Sequence, residues 1–180
     1  MSKTNTVLKA AVVCAAVGMG LLSMTASAKD VVKIAFVGPL TGGVSSIGLG
    51  GRNSADLAVR LRNADPKSKY TYQLVTQDDE CRPNVGVQVA TKVAADKSIV
   101  AGVTHFCSAV AMGTVGVYSR FGLPVIVWGA VLPEITYGND FKEVHRVNGT
   151  MINQSEVAAK FMISKGSVSY THLTLPTILL

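Results

Sequence analysis

Only three cysteines, three histidines and one tryptophan occur in the 180 residues, and charged side chains make up just 16% of them. With so few histidines and cysteines, and none clustered at ligand spacing, a structural or catalytic metal site is not expected. The 17 basic side chains outnumber the 11 acidic ones, but they are scattered, so the basic stripe of a nucleic-acid binder is missing. No phosphate-binding loop, nucleophile elbow or dinucleotide fingerprint is present; Gly48, Gly50 and Gly51 do not form one. For want of any acid, base or metal constellation, an enzyme is not expected either, and no cofactor is implied. Long apolar runs are also lacking: the stretch from Ala10 to Leu22 is well short of the roughly 20 residues that span a bilayer.

That short run has a different meaning. Lys3 and Lys9 precede it and the small-residue site Ala26-Ser27-Ala28 follows it, which is the layout of a secretory signal peptide over residues 1–28, cleaved after Ala28. Cys14 lies inside the run rather than at its end, so it is not placed as a lipoprotein cysteine, and a soluble exported protein is expected. The leader supplies much of the positive mean hydropathy of +0.36. Removing Lys3 and Lys9 leaves 15 basic residues against 11 acidic, lowering the net charge from +6 to about +4. Cys81 and Cys107 then form an even pair in an oxidising compartment, for which one disulfide is the simplest reading.

The mature chain alternates strand and helix signals. Val31 to Val37 is a short, apolar, β-branched run ending in Gly38-Pro39, as a buried strand would be. A glycine-rich loop from Thr41 to Gly51 is expected next, then a helix over Ser54 to Leu61, where Ala55, Leu57, Ala58 and Leu61 lie at helical spacing. Strands follow at Tyr70 to Gln77, Ile99 to Val103, Pro124 to Trp128 and, more weakly, Val144 to Val147. Helices are expected at Asn84 to Asp96 behind Pro83, from Ser108 to about Arg120, and from Met151 to Ile163. This order predicts an α/β fold: a doubly wound, mostly parallel sheet with helices on both faces. In such sheets ligands bind beyond the carboxyl ends of the strands, beside the switch point. The loops to watch are therefore those at Thr41–Gly48, Cys81, His105–Ser108 and Gly129–Val131.

Four segments, KIAFVGPLTGGVSSIG, QDDEC, THFCS and GLPVIVWGAVLPEIT, stand in the order and spacing of one family. Together they resemble the leucine/isoleucine/valine-binding family of type I periplasmic binding proteins, over roughly residues 30 to 165. The resemblance implies two α/β lobes closing on a solute, of which residues 29–167 represent the N-terminal lobe and the start of the crossing. It implies no cofactor, and a membrane permease of an ABC importer as partner.

By the same resemblance Cys81 and Cys107 match the family disulfide, and Ser108 matches a serine that grips the ligand carboxylate. A helix N-terminus there would favour an anion; a plain N-cap role is the blander alternative and compatible with it. Gly129 and Val131, flanking Ala130, match positions whose backbone carbonyl and N–H reach the ligand's ammonium and carboxylate. Val131 stands where amino-acid binders usually carry threonine, and Ile47 stands where many relatives carry an aromatic ring. Both departures make the site more apolar, and some relatives bind amides, urea or aromatic acids instead. Trp128 is read as a packing or cleft-lining aromatic. His105 is read as a loop residue near the cleft rim, since a Cys107–His105 catalytic pair is not expected in an exported protein with a ready disulfide partner. Asp78, Asp79 and Glu80 are read as a solvated turn, and Glu134 as opening a short helix.

The last stretch, 168–180, reads as foreign. VSYTHLTLPT, Val168 to Thr177, can be encoded by a string resembling a transposase-type sequencing adapter, and the family pattern stops near Ser167. The functional expectation is a periplasmic carrier that delivers a branched-chain amino acid or related solute to an ABC importer. A ligand-sensing receptor lobe of the same fold is the alternative.

Overall fold

The computed structural model describes residues 29–166. The expected leader over 1–28 and the stretch from Ser167 onward, including the adapter-like Val168 to Thr177, lie outside the described residues. Five strands, β1 (Val31–Gly38), β2 (Thr71–Asp78), β3 (Ile99–Thr104), β4 (Val125–Val127) and β5 (Val144–Arg146), form one sheet in the order β2-β1-β3-β4-β5. Every pairing is parallel. The intervening helices are α1 (Ser45–Ala64), α2 (Pro83–Ala95), α3 (Ser108–Phe121) and α4 (Met151–Ser164). The chain leaves β1 toward β2 and then returns past it to β3, so the strand order reverses between β1 and β3, which is where a ligand crevice forms in open α/β sheets.

Side chains alternate between the faces of a strand, and β1 uses both. Ala35 and Val37 are fully buried and join the main core with Ala90 and Val93 of α2, Ala111 and Val115 of α3, and Val125 and Val127 of β4. Phe36 points the other way, toward α1, where a Cβ on Gly51 would come within 3.2 Å of its ring. Opposite faces of the sheet are thus covered by α1 and by the α2–α3 pair. α3 stops at Gly122, whose φ of 68° supplies the left-handed C-terminal cap.

One element departs from expectation. The glycine-rich stretch is not a loop up to Gly51: α1 begins at Ser45 and carries Gly48, Gly50 and Gly51 inside it. Glycine is a weak helix former, but tertiary packing overrides that here. The first turn of α1 lies so close to the end of β1 that a Cβ on Gly48 would sit 1.8 Å from the Pro39 carbonyl oxygen. Gly48→Ala is therefore expected to cost about 1–3 kcal/mol by overpacking. A urea melt checks it, since the obstacle is backbone and cannot swing aside as a side chain would.

Candidate functional site

Each loop at the carboxyl edge of the sheet is tied down by hydrogen bonds from a residue near a strand end. Asp78 closes β2: its Oδ1 accepts the Leu40 N–H at 2.8 Å and its Oδ2 accepts the Thr41 hydroxyl at 2.6 Å, which pins the loop after β1. Burial opposes ionisation of Asp78, but the Thr41 hydroxyl and the backbone N–H groups of Glu80, Leu40 and Thr41 outweigh it and hold the carboxyl below its ordinary range.

Cys81 and Cys107, which follow β2 and β3, are joined across the tip of β1 with a Cα–Cα distance of 5.5 Å, inside the range a disulfide requires. Trp128 follows β4 and packs between two rings, with centroids 5.7 Å from Phe36 and 5.5 Å from Phe106. Its indole N–H donates to the Val37 carbonyl at 3.2 Å.

Ser108 is the first residue of α3, with Cys107 as the N-cap and no side-chain cap bond. The plain N-cap role is thereby corrected. Its Oγ accepts instead from the next loop, from the N–H of Val131 at 3.1 Å and of Leu132 at 3.4 Å. First-turn N–H groups of a helix lack intrahelical partners, so Ser108, those donors, the positive end of the helix dipole and the Val131 N–H share one place. Gly129 lies against Phe106, where a Cβ would come within 2.5 Å of the ring. Ser108, Gly129 and Val131 are thus neighbours, with Trp128 beside them, whereas Ala130, expected in the site, is 0% exposed and part of the main core. Ile47 stands apart on α1, 45% exposed, one helical turn before the Gly51 that meets Trp128.

Two expectations are overturned. His105 is not at a rim: it is 1% exposed, and Asp79, expected to be solvated, is 0% exposed. They lie beneath the disulfide, where the β2 and β3 loops press together, and hydrogen-bond each other. Glu134 does open a short 3-10 turn, Pro133–Ile135.

Asn148, which the sequence reading did not single out, donates its amide to the carbonyls of Gly129 at 3.3 Å and Ala130 at 3.0 Å. It reads locally as an ordinary turn residue before Gly149, so only the fold reveals the link. Hollows along α4 at Val157 and Phe161, and between α3 and the Glu134–Phe141 segment, include neither Ser108 nor Gly129.

The profile of the family described as periplasmic binding protein matches residues 31–175. A Leucine-, isoleucine-, valine-, threonine-, and alanine-binding protein of Pseudomonas aeruginosa is 33% identical over 139 residues, covering 77% of this chain and 37% of the relative. A Leu/Ile/Val-binding protein of Escherichia coli is 33% identical over 144 residues, 79% of this chain and 38% of the relative. A branched-chain amino acid transporter substrate binding protein of Streptococcus pneumoniae in complex with isoleucine has a similar structure, with a TM-score of 0.62 at 21% identity, covering 67% of this chain and 34% of that one. The chain belongs to the periplasmic binding protein family. It spans about 37–38% of the length of these curated relatives.

Proposed function

We propose that the protein is the solute-binding component of an ABC importer, exported to the periplasm, that captures a branched-chain amino acid or a related small solute and performs no covalent chemistry. The observation that carries this reading is the convergence of Ser108 Oγ, the Val131 N–H and the N-terminus of α3 at the carboxyl edge of the sheet. A carboxylate would be received there by oriented N–H groups and a helix dipole. The Gly129 carbonyl, one peptide away, is an acceptor for an ammonium group. Ser108 Oγ accepts from the Val131 and Leu132 N–H groups through its lone pairs, which leaves its O–H available to donate to a solute carboxylate. Val131 offers no side-chain hydroxyl, so the ammonium rests on backbone alone, and the side-chain end of the solute meets an apolar surround that includes Ile47 and Trp128. Residues 29–167 are the N-terminal lobe in this reading, and the face they leave open is completed by a second lobe.

The experiment is calorimetry on the complete gene product with a panel of leucine, isoleucine, valine, aliphatic amides and aromatic acids. Ser108→Ala is expected to weaken the best ligand by about 1.5–3 kcal/mol, as loss of a charge-assisted hydrogen bond. Unchanged affinity at unchanged thermal stability would remove Ser108 from the site.

A further inference from the structure

Beneath the disulfide lies a polar cluster that touches none of the groups assigned to the solute. Asp79, His105 and Tyr118 are 0%, 1% and 0% exposed. Asp79 Oδ1 accepts the Cys81 N–H at 2.9 Å, and Oδ2 lies 2.9 Å from His105 Nδ1. His105 Nε2 lies 3.0 Å from the Tyr118 hydroxyl. A carboxylate only accepts, so the His105 Nδ1–H donates to Asp79, and Nε2 pairs with the Tyr118 hydroxyl. Burial first, and then the charge of Asp79, push the Tyr118 phenol far above its ordinary value, so it keeps its proton.

Stability alone does not account for this arrangement, because apolar residues of similar volume often replace buried polar clusters at no loss. The backbone indicates its use. The non-glycine residues with positive φ among the described residues are Glu80 at 51°, Cys81 at 55° and His105 at 57°. All three lie on the two loops that the cluster joins, and left-handed backbone at such residues must be held in place by its surroundings. The main chain of His105 links two further elements: its N–H donates to the Val37 carbonyl at 2.9 Å, and its carbonyl accepts the Ala130 N–H at 3.4 Å. One residue therefore joins the end of β1, the β2 loop, α3 and the loop after β4. Ala130 lies between Gly129, whose carbonyl takes Asn148, and Val131, whose N–H meets Ser108.

We propose that His105 is a positioning residue: its ring, clamped between Asp79 and Tyr118, fixes the left-handed turn whose carbonyl holds Ala130, and so sets the aim of the Gly129–Leu132 loop. Its meaning for solute capture rests on the reading of that loop as the head-group site.

Tyr118→Phe keeps the ring and removes only the hydroxyl that holds Nε2. His105→Asn keeps an amide N–H for Asp79 and tolerates positive φ, whereas His105→Ala keeps neither. In the complete gene product, amide hydrogen exchange is compared at Ala130 and Val131 and, as a reference, at Ala35 and Val125 in the sheet. Tyr118→Phe should speed exchange at the loop amides about tenfold more than at the reference amides. His105→Ala should exceed that, and His105→Asn, which keeps the Asp79 contact but not the one to Tyr118, should fall back to about the level of Tyr118→Phe. A uniform rise across the sheet, or no rise, overturns the proposal and leaves the cluster a stabilising one. Leucine titration of the same variants beside Ser108→Ala separates the two readings. A loosened loop in Tyr118→Phe with Ser108→Ala binding normally upholds the positioning role and sinks the head-group site. A firm loop in Tyr118→Phe with Ser108→Ala binding poorly does the reverse.

Discussion

Replacing Cys81 and Cys107 together by serine is expected to lower unfolding free energy by about 3.5 kcal/mol, within the 2–5 kcal/mol that loss of a native disulfide costs. The magnitude follows from the chain between them: a sequence separation of 26 closes a loop whose entropy in the unfolded state is restored when the bridge is removed. The bridge also joins two of the loops that rim the carboxyl edge of the sheet. Alkylation followed by mass spectrometry of the oxidised mature protein should find no free thiol, and denaturant melts of the double serine variant should give the energy. Two cysteines modified without prior reduction would contradict the pairing.

Much of this geometry was legible in the residues. Runs such as Val31–Val37 are apolar and β-branched because a parallel strand covered on both faces needs them so, and that signal survives without tertiary information. The pairing of Cys81 with Cys107 followed from their even count and the expected compartment as much as from the family resemblance.

What could not be read locally depends on elements meeting. The N-terminal half of α1 is helical although Gly48, Gly50 and Gly51 disfavour it, because close contact with Pro39 selects glycine there. Asp79 and His105 read as turn residues, and their burial appears only once the β2 and β3 loops meet across β1. Tyr118 carried a signal that could have been used. It is the one aromatic amid the small residues of Ser108–Ser119, and a buried phenol needs a partner. Ser108 was placed correctly at the start of α3, but its hydroxyl reaches across to the following loop instead of back along its own helix. For the loop around Ser108 and Gly129–Val131, the residue types were readable and the hydrogen bonds among them were not.

Residues 29–167 expressed alone are expected to bind amino acids no better than about millimolar, a free energy near 4 kcal/mol, where a micromolar binder has about 8 kcal/mol. High affinity for a small solute needs most of its surface buried with each polar group partnered. In the proposed reading the groups at Ser108, Gly129 and Val131 grip one end of a solute while the other stays in water. The exposed surface of α4 points the same way, since Ile152, Val157, Phe161 and Ile163 are 55%, 68%, 58% and 73% exposed. Apolar exposure of this kind, spread over both sides of α4, favours association of an isolated chain, so light scattering should accompany the titration. The comparison is between this span and the complete gene product, each titrated with the same amino acids and amides. Micromolar binding by the shorter span would show that one lobe encloses the solute by itself, and the two-lobed capture proposed for this protein would have to be abandoned.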